Sequence, residues 1–297
     1  MNSSEHDRFY AAAFARNRGL IADHHQERLR QARVAIAGLG GVGGIYATTL
    51  ARLGVGNFTI ADEDRFEAAN INRQAGAHVS TLGKEKSTVM GTLIADINAY
   101  AQVRRFGYLT PENIGDFLDG ASVVFDGIDF FTMAPRRLLY REARARGIPV
   151  INVAPVGFGG AMLNFSPTGM SFDEYFAITD DMSEKEQIVQ FAIGTGPRML
   201  QRSYFLPKAI DFHGQRAPSS ILGTLACANM GVSEAYKILT GEAYEAAPVS
   251  WHFDPYVRKL RRCNLWWGNR HPLQRFKKWY FMRKLASLSH LRPTVEE

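Results

Sequence analysis

A chain of 297 residues, 46% of them hydrophobic, can form one large domain or two and can bury a full core. Two cysteines, Cys227 and Cys263, suit a reducing compartment and exclude both a disulfide framework and a four-thiolate zinc site. The formal charge of +6 is a moderate excess; Met1 to Arg8 carries no signal-peptide pattern and no apolar run is long enough to cross a bilayer, so the expected location is cytoplasmic.

Taken in order, residues 1–32 read as an N-terminal helical segment. Apolar and charged residues alternate at helical spacing from Arg8 to Arg33, which predicts that Leu20, Ile21 and Leu29 lie against the next unit. Val34 to Ala37 is a short apolar run of the kind a buried parallel strand explains. It leads into Gly38-Leu39-Gly40-Gly41-Val42-Gly43, which fits G-x-G-x-x-G. Such glycines permit a tight turn and let backbone N–H groups approach a phosphate at a helix N-terminus. A helix over Ile45 to Leu53 and a strand over Phe58 to Ala61 follow, ending at Asp62, where a ribose-binding acid is expected. Glu63 to Ser80 is a long polar loop, Lys84 to Asn98 a helix, and Val103 to Phe106 a strand. Pro111 after Thr110 predicts a helix start. Further strands are predicted at Ser122 to Asp126, Ile148 to Val153 and Phe158 to Phe165, with a helix at Arg136 to Arg146.

Repeated strand-helix units predict an α/β fold with a doubly wound, mostly parallel sheet and a Rossmann-like nucleotide-binding half over 33–165. Ligands then bind at the carboxyl ends of the strands, where Asp62, Asp126 and Asp129 stand. Residues 166–218 read as an insertion or lid with two helical pieces, Phe172 to Phe176 and Ser183 to Ile193. A helix from Ser219 to Leu239, stopped by Gly241, and a hairpin over Val249 to Leu260 complete the domain through 260 as a C-terminal antiparallel extension. Residues 261–297 form a basic, aromatic tail.

The glycine motif alone admits hydride transfer with a dinucleotide or acyl activation with ATP. The loop beyond Asp62 separates the two, because a dehydrogenase has no use for Asn70-x-x-Arg73-Gln74. ATP brings roughly four negative charges, and carboxylate attack at the α-phosphorus needs cations that neutralise the approach and the departing pyrophosphate. Arg73 and Lys86 could supply them, Asp129 could hold Mg²⁺ through oxygen ligands, and Asp62 could fix the ribose. Lys84, two positions before Lys86, could take its place. Asp126 is expected to close a strand and cap the next turn.

These residues also carry a resemblance. D-E-D-R-F-E-A-A-N-I-N-R-Q, with the preceding G-L-G-G-V-G, the following G-K-E-K and the later F-D-G-I-D, resembles the ubiquitin-activating-enzyme-like adenylyltransferases, the ThiF/MoeB/HesA family. The resemblance runs from about Arg16 to Phe165 and again over Ser219 to Gly241. It implies MgATP-dependent adenylation of a carboxylate: the C-terminus of a ubiquitin-like or sulfur-carrier protein, a peptide or a small molecule. It places Gly41 against the nucleotide, Asp62 and Asp64 near ribose and metal, Asn70 and Arg73 toward the phosphates, Lys86 at the family lysine and Asp129 at the metal-binding aspartate. It also matches Arg18 to an arginine inserted into a partner's site, which implies a homodimer. The chain departs from the family in lacking the two C-x-x-C pairs that bind structural zinc and a cysteine in 166–217, and in placing Phe130 where asparagine is usual. Adenylation is left intact, and thioester transfer is argued against.

L-T-P-E-N-I and F-D-G-I-D, with no zinc pairs, also resemble the tRNA threonylcarbamoyladenosine dehydratases, so an RNA-linked carboxylate is an alternative, as is an NAD-dependent oxidoreductase or a scaffold that kept the fold. The tail, with Trp266, Trp267, Trp279 and Tyr280 among Arg and Lys, could grip nucleic acid, lie on an anionic membrane or pack its rings on the core. Cys227 is expected buried, Cys263 exposed, His24 and His25 solvated, and His213 and His252 receive no role.

Overall fold

A computed structural model describes residues 3–205, 214 and 216–288. Eight strands form one sheet: β1 (Arg33–Ala37), β2 (Asn57–Ala61), β3 (Gln102–Phe106), β4 (Val123–Asp126), β5 (Val150–Val156), β6 (Gly159–Met162), β7 (Val249–Asp254) and β8 (Lys259–Asn264). Their order is β3-β2-β1-β4-β5-β6-β7-β8. The first five pair in parallel and the rest antiparallel, as expected from the strand-helix repeats followed by a hairpin. The order reverses between β1 and β4, which opens a crevice at their carboxyl ends.

Side-chain alternation along the strands divides the interior into two cores. Val34, Ile36, Phe58, Ile60, Val123 and Phe125 join one core with α3 (Gly41–Leu53), α4 (Lys86–Ile97) and α9 (Ile221–Thr240). Ala35, Ala37, Ala61 and Val124 face the other, which holds α5 (Ile114–Leu118), α6 (Ala134–Ala145), α7 (Phe172–Phe176) and α8 (Glu184–Thr195). The small residues on that side of β1 and β2 let the second helical layer approach closely, and Gly54 and Gly241 end α3 and α9 in the left-handed conformation.

Several expectations are corrected. The N-terminal segment is two helices, α1 (Ser3–Ala13) and α2 (Asp23–Gln31), because Ala15–Asn17 tightens into a 3-10 turn and Gly19 turns the chain at φ +92°. Leu29 is buried and Ile21 packs on the core, but Leu20 is 90% exposed. Thr110 and Pro111 open a single turn, with Asn113 Oδ1 accepting from Thr110 N–H at 2.9 Å and Ile114 N–H donating to the Thr110 carbonyl at 3.0 Å, but the regular helix α5 begins only at Ile114. Cys263 is buried, since pairing of Ser250 with Cys263 between β7 and β8 turns the thiol inward. His25 is half-buried, with Nδ1 2.9 Å from Tyr236 Oη.

The helical part of 166–218 is built into the second core through Phe172, Tyr175, Phe176, Ile188 and Phe191, so that part is not a lid. Residues 206–213, His213 among them, lie outside the described residues. Past β8 the chain makes a 3-10 turn at Gly268–Arg270 and enters α10 (Pro272–Leu288). Trp266, Trp267, Trp279 and Tyr280 of the tail are exposed and do not pack on the core.

Candidate active site

The glycine turn lies between β1 and α3, and two glycines are sterically required. Gly38 has φ +86° and abuts the Gly127 carbonyl after β4, while a Cβ on Gly43 would run into the Gly38 carbonyl oxygen. The first-turn N–H groups of α3 therefore point into the crevice with the positive end of the helix dipole behind them. Gly40 and Gly41 are looser. A Cβ on Gly41 would lie 3.1 Å from Thr224 Cγ2 and 3.9 Å from Arg73 Cδ, so Arg73 and the first turn of α9 border the turn.

Asp62, at the end of β2, is half-buried. Its Oδ2 accepts from Leu39 N–H at 2.6 Å and its Oδ1 from Asp64 N–H at 2.9 Å, so it shapes the glycine turn directly. Burial raises its pKa, partly offset by Lys86 and by those two N–H groups. Beyond it the chain folds back so that Arg65 bridges Glu85 and Lys86 N–H donates to the Asp64 carbonyl. This register carries Lys86 inward and leaves Lys84 exposed. Lys86 Nζ meets Asp64 Oδ2 at 2.8 Å; the lysine side chain is 7% exposed and the aspartate 65%. One partner is thus open to replacement by a ligand's anion.

In the loop, Asn70 is committed to a turn, its Oδ1 accepting from Glu67 N–H at 3.0 Å. Arg73 Nη1 donates to the Ala69 carbonyl at 2.8 Å and to Asn72 Oδ1 at 3.0 Å, and Asn72 Nδ2 donates to the Ser219 carbonyl at 3.0 Å. Asn72, which sequence reasoning passed over, ties Arg73 to the chain entering α9. Gln74 is buried beside Gly40, and its Oε1 has no hydrogen-bond partner. An orphaned buried acceptor beside an N–H-rich glycine turn fits a bound nucleotide.

After β4, Asp126 and Arg136 form an ion pair at 2.9 Å, with Tyr140 Oη and Asn152 Nδ2 donating to the same carboxylate oxygen. Asp126 thus closes the strand and accepts from Ile128 N–H at 3.1 Å, as expected. Burial and the adjacent Asp126 carboxylate push the Tyr140 phenol well above its ordinary pKa. Arg136 also donates to the Ile128, Asp129 and Thr132 carbonyls and stacks on Phe191 at 4.4 Å. It is the clamp of the turn that presents Asp129. Sequence reading saw it only as a helix start; a charged residue ten positions past a buried strand-end acid was the available signal. Asp129 is exposed, its Oδ1 accepting from Phe131 N–H at 3.0 Å, and Phe130 packs on Phe191 of α8. No cluster of three His, Cys, Asp or Glu suited to a metal occurs among the described residues. A magnesium ion that takes one carboxylate plus phosphate oxygens needs none, so Asp129 alone fits it.

Gly38, Gly40, Gly41, Gly43, Asp62, Asp64, Arg73, Gln74 and Lys86 converge on the turn after β1, and Asp129 follows the adjacent β4. Arg18 stands outside this cluster, exposed and 3.8 Å from Asp23.

A family model, ThiF, matches residues 14–274. The chain is 38% identical over 141 residues to the tRNA threonylcarbamoyladenosine dehydratase of Bacillus subtilis, covering 47% of this chain and 55% of that protein. It is 33% identical over 148 residues to the sulfur carrier protein ThiS adenylyltransferase of Escherichia coli, covering 50% and 58%. The chain thus spans about half the length of the curated relatives it matches. Among solved structures, that of PaaA aligns with a TM-score of 0.62 at 20% identity over 89% of this chain and 84% of that one. The E. coli tRNA N6-threonylcarbamoyladenosine dehydratase in complex with ATP aligns at 0.55 and 21% identity, over 78% and 95%. At such identities the structures speak to the fold alone.

Proposed function

The chain belongs to the ThiF family, and from that premise we propose that it is an ATP-dependent adenylyltransferase that activates a carboxylate with release of pyrophosphate. The observation that carries this reading is the buried Lys86 ammonium, held beside the glycine turn by an aspartate that is itself exposed. A dinucleotide brings a pyrophosphate of roughly two charges to this turn and releases none of it, whereas a triphosphate brings roughly four and expels pyrophosphate, which calls for a further cation.

The chain's own groups divide the work. N–H groups of Gly40 to Gly43 and the dipole of α3 hold phosphate oxygens, those of Gly38 and Leu39 being taken by the Ala61 carbonyl and Asp62. The Gln74 amide satisfies its free Oε1 on a donor of the nucleotide, and Asp62, both of whose oxygens keep a lone pair beyond their backbone bonds, receives a ribose hydroxyl. Arg73 and Lys86 draw charge from the α-phosphate and the leaving pyrophosphate, Lys86 by exchanging Asp64 for phosphate. Asp129 would hold magnesium, which supplies further neutralisation of the leaving group. The acyl group comes from a ubiquitin-like or sulfur-carrier C-terminus, a peptide or a small molecule. With no cysteine in 166–217, the activated acyl group passes to a nucleophile other than a thiol of that segment.

We also propose a homodimer in which Arg18 reaches the partner's site. Arg18 and the exposed Leu20 share one turn, and Ile221, Leu222 and Leu225 are exposed on α9 beside the glycine turn. ATP–pyrophosphate exchange tests both readings, run with carrier proteins, peptides and tRNA as carboxylate sources. One source should support exchange, Arg73→Ala and Asp129→Ala should each abolish it, and mixing Arg18→Ala with Arg73→Ala should restore part of it. No exchange and no ATP binding by calorimetry would overturn adenylation, and exchange by a monomer would overturn the shared site.

A further inference from the structure

Helix α10 docks through polar groups in its first turns and exposes its large apolar ones. Gln274 is 2% exposed and its Nε2 donates to the Ile193 carbonyl at 3.0 Å and to Asn269 Oδ1 at 3.3 Å, while Lys277 Nζ donates to the Pro197 carbonyl at 3.0 Å; Phe281, further along that side, is half-buried. Its outward side carries the large apolar groups. Leu273, Phe276 and Tyr280 recur at i, i+3 and i+7 and make one stripe, with Trp279 beside it at 5.8 Å from the Phe276 ring. All four are 54–65% exposed, and Trp266 and Trp267 on the preceding turn are 72% and 63% exposed. A soluble helix normally does the reverse, and exposed apolar patches of this kind mark contact sites.

Charge names the occupant's sign. From Pro255 to Val295 the sequence has eleven lysines and arginines and no acidic residue. Arg275 and Arg283 stand on the exposed side of α10, and the Arg283 guanidinium lies 5.4 Å over the Trp279 ring. The occupant is therefore anionic and offers an apolar phase.

We propose that this face is a peripheral anchor that lays the stripe of α10 and the Trp266-Trp267 turn onto an anionic lipid surface. Tryptophan and tyrosine rings settle at the headgroup level, with phenylalanine and leucine below them and arginines on the lipid phosphates. A single-stranded nucleic acid fits less well, because Leu273 cannot stack on a base and a convex helix face forms no groove for a phosphate backbone. This inference stands apart from adenylation and survives or fails without it.

The test is co-sedimentation of the full chain with vesicles of phosphatidylcholine alone and of phosphatidylcholine with phosphatidylglycerol, with tryptophan emission recorded in parallel. The wild type should partition at least about tenfold more onto the anionic vesicles, with emission shifting to the blue. Phe276→Ser/Trp279→Ser, whose side chains are exposed and whose folding is checked by circular dichroism, should lose about tenfold of that partitioning, and added salt should weaken the rest. Absence of binding to either vesicle would overturn the proposal. So would a double variant that partitions like the wild type, or capture of tRNA through these residues with the vesicles ignored.

Discussion

Two acid–base pairs flank β1, Asp126–Arg136 after β4 and Asp64–Lys86 after β2, and they differ in closure. In the first both side chains are buried, the aspartate 1% and the arginine 3% exposed, and neighbouring side chains and carbonyls take up their remaining hydrogen-bonding capacity. In the second the lysine is nearly as buried as the arginine, but its aspartate lies largely in water. A closed pair has nothing left to offer a ligand and can only hold shape; a pair open at one end can trade its carboxylate for a phosphate. The difference separates scaffold from chemistry at groups of the same formal charge, about one strand apart.

The comparison breaks most visibly at Arg136. Arg136→Ala leaves Asp126 buried without its cation and should cost about 3–5 kcal/mol of stability, read by urea denaturation. A smaller loss would mean that the pair is not closed. Lys86→Met should reverse the pattern, with exchange activity falling about 10²–10³-fold and stability changing by no more than about 1 kcal/mol, since the abandoned Asp64 is solvated.

His252 extends the closed class to a titrating group. Burial, aided by the Arg198 charge, lowers its pKa to about 4, and its Nε2 lies 3.1 Å from Ser250 Oγ. The unfolded chain takes up a proton near pH 6.5 and the folded one only near 4, so stability is full above 6.5 and falls as pH drops toward 4. The loss should reach about 3 kcal/mol, and His252→Gln should flatten that part of the profile. Asp64→Asn should do least, under about 1 kcal/mol, because its carboxylate is screened by water.

What could be read from the sequence was local. The glycine turn, the strand-end acids and the Gly241 stop depend on residues within a few positions of one another, and each stands where it was expected. Lys86 against Lys84 could not be decided that way, since the answer lies in the bridge between Arg65 and Glu85, a pairing across twenty residues with no local mark. Arg136 escaped notice because its partner is set by the sheet, which brings the end of β4 and the start of α6 together. Cys263 was misjudged on its basic neighbours, when the register of β8 against β7 decides which way it faces. Helix α10 gave no clear apolar periodicity pointing inward because its first turns dock through Gln274 and Lys277.

The most direct measurement is ATP–pyrophosphate exchange on Lys86→Met, taken together with its melting temperature. If the open pair serves the chemistry, exchange is lost while the melting temperature stays at the wild-type value. Exchange that persists, or a melting temperature that falls as far as that of Arg136→Ala, would contradict the account.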